Sequence, residues 1–153
     1  MLATFDPVLE FDARQTQIVS TLKQILRTHG LAERAFSDEP RKRRTPADRR
    51  LHERVAFEVP IIMHPVVLKE NNTLLELPEE AIAGLTRDIS KYGFGFTCDM
   101  SPHFKHMVVE FDLFGIGMRH LVVDVRWHRK REAHSYVGGG LVIGILKEDH
   151  SAF

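Results

Sequence analysis

The sequence predicts a mainly β fold, a small six-stranded antiparallel β-barrel preceded by one helix. Three observations carry that prediction. Over residues 121 to 128, Leu121, Val123, Val125 and Trp127 interleave with Val122, Asp124, Arg126 and His128, the period-two pattern of a strand with one face buried. Similar short runs recur between residues 55 and 146 with turn-forming residues between them, as in small antiparallel barrels. Helical spacing is found near the N-terminus, where Ile18, Leu22, Ile25 and Leu26 form a single apolar stripe.

The elements follow in order. A helix is expected over residues 12 to 30, with Asp12 as its cap, Gln15 three residues later, and Gly30 where a terminating glycine belongs. From 32 to 48 the pattern stops. "SDEPRKRRTPADRR" is dense in charge, carries Pro40 and Pro46, and reads as an exposed, mobile linker. Residues 55 to 63 are apolar and β-branched, although Pro60 implies an edge or a bend. Asn71-Asn72 marks a turn, and Pro78-Glu79-Glu80 a second break. A short strand at 85 to 89 leads into "YGFGF", with Phe94 and Phe96 on one face and Gly93 and Gly95 on the other. Met107, Val109, Phe111 and Leu113 alternate with His106, Val108, Glu110 and Asp112. Charged residues 129 to 134 and the glycines at 138 to 140 read as one long hairpin loop, and "LVIGIL" at 141 to 146 as the closing strand. The expected organisation is a helix and basic linker over 1–47, a barrel over 48–147 and a short tail over 148–153.

At 153 residues the chain is long enough for one self-standing core. Its 21 basic and 21 acidic residues balance globally but not locally. Residues 41 to 54 hold Arg41, Lys42, Arg43, Arg44, Arg49, Arg50 and Arg54 against Asp48 and Glu53, a net charge of +5, so the remainder carries −5. That asymmetry points to an anionic partner near one segment. The single cysteine, Cys98, excludes an internal disulfide and suits a reducing compartment. No signal pattern opens the chain, and no apolar run approaches the ~18 residues of a span. The expectation is a cytoplasmic protein with no membrane span.

Chemistry-bearing groups are sparse. His103 and His106 stand three apart without a third ligand nearby, short of the set that zinc requires. Cys98 on a strand is most simply core, and Ser90 lacks a nucleophile elbow. No catalytic constellation emerges, so the expectation is a protein that is not an enzyme and needs no catalytic cofactor or metal. The basic segment is more specific. Arginines are often a solvated face, but Arg50 and Arg54, four apart, carry flat forks of donors suited to phosphate and to the O6/N7 edge of guanine. In "DISKYG", Asp88 and Ser90 alternate to one strand face. There a carboxylate can accept guanine N–H groups and a hydroxyl can meet phosphate, while Gly93 permits a tight turn or close approach.

Arg50-x-x-x-Arg54 leading into a first strand, then Asp88-x-Ser90-x-x-Gly93, then a closing "VIGIL" together resemble the PilZ domain, the bacterial receptor module for cyclic di-GMP. The resemblance covers about residues 48 to 147, with Gly144 where the last strand of the family commonly has glycine. The last strand ends in Gly-Ile-Leu where the family usually has an aromatic, and residues 71 to 83 are longer than a minimal PilZ hairpin. The resemblance implies a non-enzymatic receptor whose conformation or partner changes on binding the second messenger. Arg50 and Arg54 would clamp phosphate and the guanine Hoogsteen edge, Asp88 and Ser90 would read guanine and phosphate, and Gly93 would leave room. In PilZ domains an arginine just before RxxxR, here Arg49, tends to accompany an intercalated ligand dimer, which implies two cyclic di-GMP per chain. Residues 1–47 would serve a protein partner or self-association. Two alternatives use the same residues: a PilZ-like adaptor that binds no nucleotide, and a nucleic-acid-binding barrel. Against the latter, the strands offer few aromatics for base stacking beyond Tyr92 and Trp127.

Overall fold

The structure, a computed structural model, describes residues 8–31, 54–78, 80–91 and 93–147. Arg49, Arg50, Tyr92, the 32–48 linker and the 148–153 tail lie outside the described residues. The chain runs β1 (Val8–Asp12), α1 (Gln15–Thr28), β2 (Val55–Ala56), β3 (Pro60–Lys69), β4 (Thr73–Glu76), β5 (Ile82–Ile89), β6 (Gly93–Cys98), β7 (His106–Leu113), β8 (Gly117–Glu132) and β9 (Ser135–Leu146). It is mainly β, as the sequence predicts, and its strand pairs are antiparallel. The strands number nine among the described residues rather than six. Six of them close a circuit, because β3 pairs with β7, β7 with β8, β8 with β9, β9 with β6, β6 with β5, and β5 with β3 again.

The other three strands use length left over on that circuit. β3 pairs with β5 through residues 60–63 and with β4 through residues 66–69. β9 likewise gives residues 136–141 to β6 and residues 145 and 146 to β1. β1 and β4 pair with each other, so the N-terminal residues that read as lying ahead of the β region contribute a strand to the sheet.

Two cores result. The larger gathers Ile61, Met63, Phe94, Phe96, Met107, Val109, Leu121 and Val123 with the apolar stripe of α1. The smaller holds Leu9, Phe11, Val66, Leu74, Val108, Val122 and Leu146. The hairpin of β7 and β8 lies between them. Val108 and Val122, which break the expected alternation, are buried because the opposite face of the hairpin has its own cover.

Local chemistry sets the element ends. α1 buries Ile18, Leu22, Ile25 and Leu26 and packs on β9 and β7. It ends where expected: Gly30 takes φ +70°, its N–H donates to the Arg27 carbonyl at 3.0 Å, and the Leu31 N–H donates to Leu26 at 2.9 Å, a Schellman closure. Its start differs. Asp12 ends β1, accepts from the Arg14 backbone at 2.9 Å and its guanidinium at 2.7 Å, and caps nothing; Arg14 holds the cap position, and its side chain makes no capping bond to the helix. Asn71 and Asn72 both adopt left-handed backbone, φ 58° and 55°, between β3 and β4.

The expected long loop at 129 to 140 is instead strand. β8 continues to Glu132, and β9 starts at Ser135 after two connecting residues. The glycines are there for space rather than for turning. A Cβ at Gly138 would lie 2.5 Å from the Phe96 ring, one at Gly139 would lie 2.6 Å from Trp127 Nε1, and one at Gly140 would meet the Asp124 carbonyl. Residues 126–132 are exposed because β7 pairs with β8 only as far as Asp124. No helix among the described residues is long and apolar enough to cross a membrane.

Candidate functional site

Arg54 immediately precedes β2, and that two-residue strand pairs Val55 with Ile89 and Ala56 with Asp88. The strap from 55 to 59 is fastened further along β5. The Phe57 N–H donates to the Arg87 carbonyl at 3.0 Å, and the Thr86 N–H to Val59 at 3.0 Å. The Thr86 hydroxyl donates to the Phe57 carbonyl at 2.8 Å and accepts the Val59 N–H at 2.9 Å. Thr86 is almost fully buried, so these bonds form away from water. A residue 34 positions upstream is thereby delivered to the end of β5, with Arg54 Nη1 3.8 Å from Asp88 Oδ1. That oxygen is buried and accepts no hydrogen bond among the described residues. A buried acceptor left this way is costly, and it suits a donor arriving from outside the chain.

Ser90 and Gly93 join this cluster. The Ser90 N–H donates to the Gly93 carbonyl at 3.0 Å, and Ser90 Oγ accepts the Gly93 N–H at 2.9 Å, closing the Ser-x-x-Gly turn on itself. A Cβ on Gly93 would lie 3.1 Å from Ser90 Oγ and 3.7 Å from Arg54 Nη2. Glycine there lets the guanidinium lie against backbone. Arg54, Asp88, Ser90 and Gly93 are therefore together; Arg49 and Arg50 are outside the described residues. Ser90 is buried, which makes it chiefly a positioning residue for the turn.

The register adds residues that sequence reading missed. Residues paired across antiparallel strands share a face, and the pairs Asp88–Gly95, Gly95–Gly139 and Gly139–Trp127 run in one row across β5, β6, β9 and β8. Both glycines are covered from the sides. A Cβ on Gly95 would lie 2.5 Å from Asp88 Oδ1, and the Trp127 indole lies over Gly139. Neighbouring strands are about 4.8 Å apart, so carboxylate and indole lie close enough for one planar base to touch both. Trp127 is 41% exposed, and the Arg129 guanidinium sits 5.7 Å from its ring centroid. A bulge between Thr86 and Asp88 puts the Arg87 Cβ on the same side, 3.6 Å from where a Gly95 Cβ would be. The signal in the sequence was the single tryptophan and, one hairpin later, a run of three glycines whose middle member, Gly139, lies under its indole.

The neighbouring row runs from Gly93 through Leu141 to Asp124. Asp124 is held at 2.6 Å by Lys105 Nζ and at 2.9 Å by Arg126 Nε. Burial pushes its carboxyl up, but Lys105 and the surrounding positive charges outweigh burial and leave it below the usual range. Asp124 thus has two close cations where Asp88 has one at 3.8 Å, although Oδ1 of each is buried and without a formed hydrogen bond among the described residues. His106 lies 3.8 Å from Asp124 on β7, while His103 stays in the preceding loop. No group of three His, Cys, Asp or Glu among the described residues is placed to hold a metal. Cys98 is buried, its thiol 3.1 Å from the Met100 carbonyl, and burial pushes it up toward the protonated form.

The surface can therefore offer guanidinium to an anion, a carboxylate to N–H donors and an indole to an aromatic plane. Comparison of the chain with protein-family models, with curated proteins and with solved structures finds no match.

Proposed function

We propose that the chain is a non-enzymatic receptor for cyclic di-GMP, built on a PilZ-like barrel. The observation that carries this reading is the placement of Arg54 by β2 over Gly93 and 3.8 Å from Asp88, whose buried Oδ1 lacks a hydrogen bond among the described residues. Guanine presents N1–H and N2–H to a carboxylate and O6/N7 to a guanidinium, so Asp88 and Arg54, side by side, suit adjacent edges of one base. Trp127 adds a stacking face, and Arg87 and Arg129 add charge for phosphates. Arg50 would act with Arg54, and Arg49 would bring a second ligand into the site. Neutralising the basic 41–54 segment on binding then converts ligand occupancy into a change of conformation or partner.

A second reading, binding to single-stranded nucleic acid, is favoured by one observation. Trp127 stands exposed in a stretch that includes Arg126, Arg129, Lys130 and Arg131. Titration with cyclic di-GMP, GMP and an oligonucleotide at two salt concentrations separates the two. The receptor reading expects cyclic di-GMP saturation at two ligands per chain, falling to one in Arg49→Leu. The nucleic-acid reading expects tight, strongly salt-dependent oligonucleotide binding and no response to cyclic di-GMP.

A further inference from the structure

The hairpin between β7 and β8 turns through Phe114, Gly115 and Ile116. The Ile116 N–H donates to the Leu113 carbonyl at 2.9 Å, and Gly115, at φ +80°, takes the backbone that a type II turn reserves for glycine. Polar residues usually occupy such corners. Here they are Phe114, 95% exposed, and Ile116, 44% exposed, with Met118 close behind at 43%. No other large apolar side chain among the described residues is as exposed as Phe114. A Cβ at Gly115 would meet nothing within 4 Å, and one at Gly117 only Arg119 Nη1, at 4.0 Å, so the tip projects free of the surface around it. Its base is fixed. Leu113 is fully buried, and Arg119 donates to the Met118 carbonyl at 2.9 Å and to Gln24 Oε1 of α1 at 2.9 Å.

Phe114, Ile116 and Met118 present on the order of 350 Å² of apolar surface, since a whole aromatic side chain accounts for about 150–250 Å². A stable protein interface takes about 800 Å² from each partner, so a second copy meeting this one tip to tip would bury too little. A convex point also needs a matching pocket in a protein, whereas a lipid bilayer yields to it. Charge selects the kind of bilayer. Both bonds of Arg119 go to neutral oxygens, so its guanidinium keeps its charge at the base of the tip. α1, tied to that base, carries Lys23 and no acidic residue from Gln15 to Thr28. Asp112 pairs with Met118 and is exposed; a carboxylate resists entry into lipid, which sets the depth. The turn reaches about 7 Å beyond that pair, the rise of two strand residues, and interfacial segments sink about 5–10 Å. We propose that the β7–β8 hairpin is a membrane-surface anchor: Phe114 and Ile116 enter the headgroup layer of an anionic bilayer, while Arg119 and Lys23 meet lipid phosphates. Docking of this kind needs no membrane span and uses none of the residues around Asp88.

The test uses the full chain in flotation with vesicles of phosphatidylcholine alone and of phosphatidylcholine mixed with phosphatidylglycerol. Wild type is expected to float with the mixed vesicles and more weakly with the neutral ones. Phe114→Ser/Ile116→Ser should lower its partition into mixed vesicles at least about tenfold, because each large apolar side chain kept out of lipid loses about that factor. Circular dichroism checks that the variant is folded. Phe114→Trp/Trp127→Phe puts the sole tryptophan at the tip, and its emission should shift to the blue when mixed vesicles are added. Wild type that floats with neither vesicle, a serine variant that floats as well as wild type, or tip emission unmoved by lipid overturns the inference. Equal flotation with neutral and mixed vesicles overturns the assignment to an anionic surface. Absence of flotation together with a dimer that the serine pair converts to monomer, read by size-exclusion chromatography, overturns it in favour of a second copy.

Discussion

Thr86→Val isolates the strap that delivers Arg54. Valine keeps the shape of threonine but removes the hydroxyl that donates to Phe57 and accepts from Val59. Phe57 is buried and Val59 half-buried, so the Phe57 carbonyl loses a partner that water replaces poorly, while Val59 is partly rescued. Each unsatisfied group costs about 1–3 kcal/mol, and the lower end applies to Val59, which gives about 2–4 kcal/mol in all. For a chain of this size that corresponds to a fall in Tm of roughly 5–15 °C, measurable by calorimetry or circular dichroism. The remaining bonds from β2 to β5 keep the fold but hold Arg54 more loosely, so ligand affinity should fall although Thr86 touches no ligand. A Tm within about 1 °C of wild type would refute the reasoning, because it would mean that the strap is held by its backbone pairs alone.

Three other outcomes follow from named contacts. Gly139→Val places a Cβ 2.6 Å from Trp127 Nε1, so the indole must leave the strand surface; the emission of this sole tryptophan should shift to the red and ligand affinity should drop, whereas unchanged emission contradicts the packing. Asp88→Ala should weaken cyclic di-GMP at least about tenfold, since the guanine N–H groups lose their acceptor, and leave salt-driven oligonucleotide binding intact; equal effects on both would point to a shared electrostatic surface. Burial lowers the pKa of His64 and of His106 below the ordinary 6.5. Groups with a lowered folded pKa contribute stability above the unfolded value and lose it as pH falls through the folded one. Tm should therefore decline from about pH 6.5 downward, less steeply in His64→Gln/His106→Gln, and a Tm that rises over that range would contradict this.

What could be read from sequence depended on whether a residue answers to one neighbour or to several. The stripe of α1, its end at Gly30 and the turn at Asn71-Asn72 are local, and all three appear as expected. Asp12 is an exception of the same local kind: Arg14, two residues on, competes successfully for its carboxylate and draws its pKa down to about 2. The second core was illegible because alternation describes one buried face, and Val108 and Val122 are covered by β1 and β4 from distant parts of the chain. Gly138, Gly139 and Gly140 read as a loop because glycine is the usual loop residue. Their actual cause, the space taken by Phe96, Trp127 and the Asp124 backbone, requires knowing which strands are neighbours. The same holds for the site. Asp88, Ser90 and Gly93 sit in one motif, but the row from Asp88 to Trp127 spans four strands and exists only once the register is set.

The most direct test of the account is calorimetric titration of cyclic di-GMP into the wild-type chain and into Arg54→Ala. Charge-assisted hydrogen bonds contribute about 1.5–3 kcal/mol each, and about 1.4 kcal/mol is a factor of ten. The account predicts saturable binding at micromolar ligand by the wild type, weakened at least tenfold by Arg54→Ala with the fold intact. A wild type that gives no heat of binding, or an Arg54→Ala variant that binds as tightly, would contradict it.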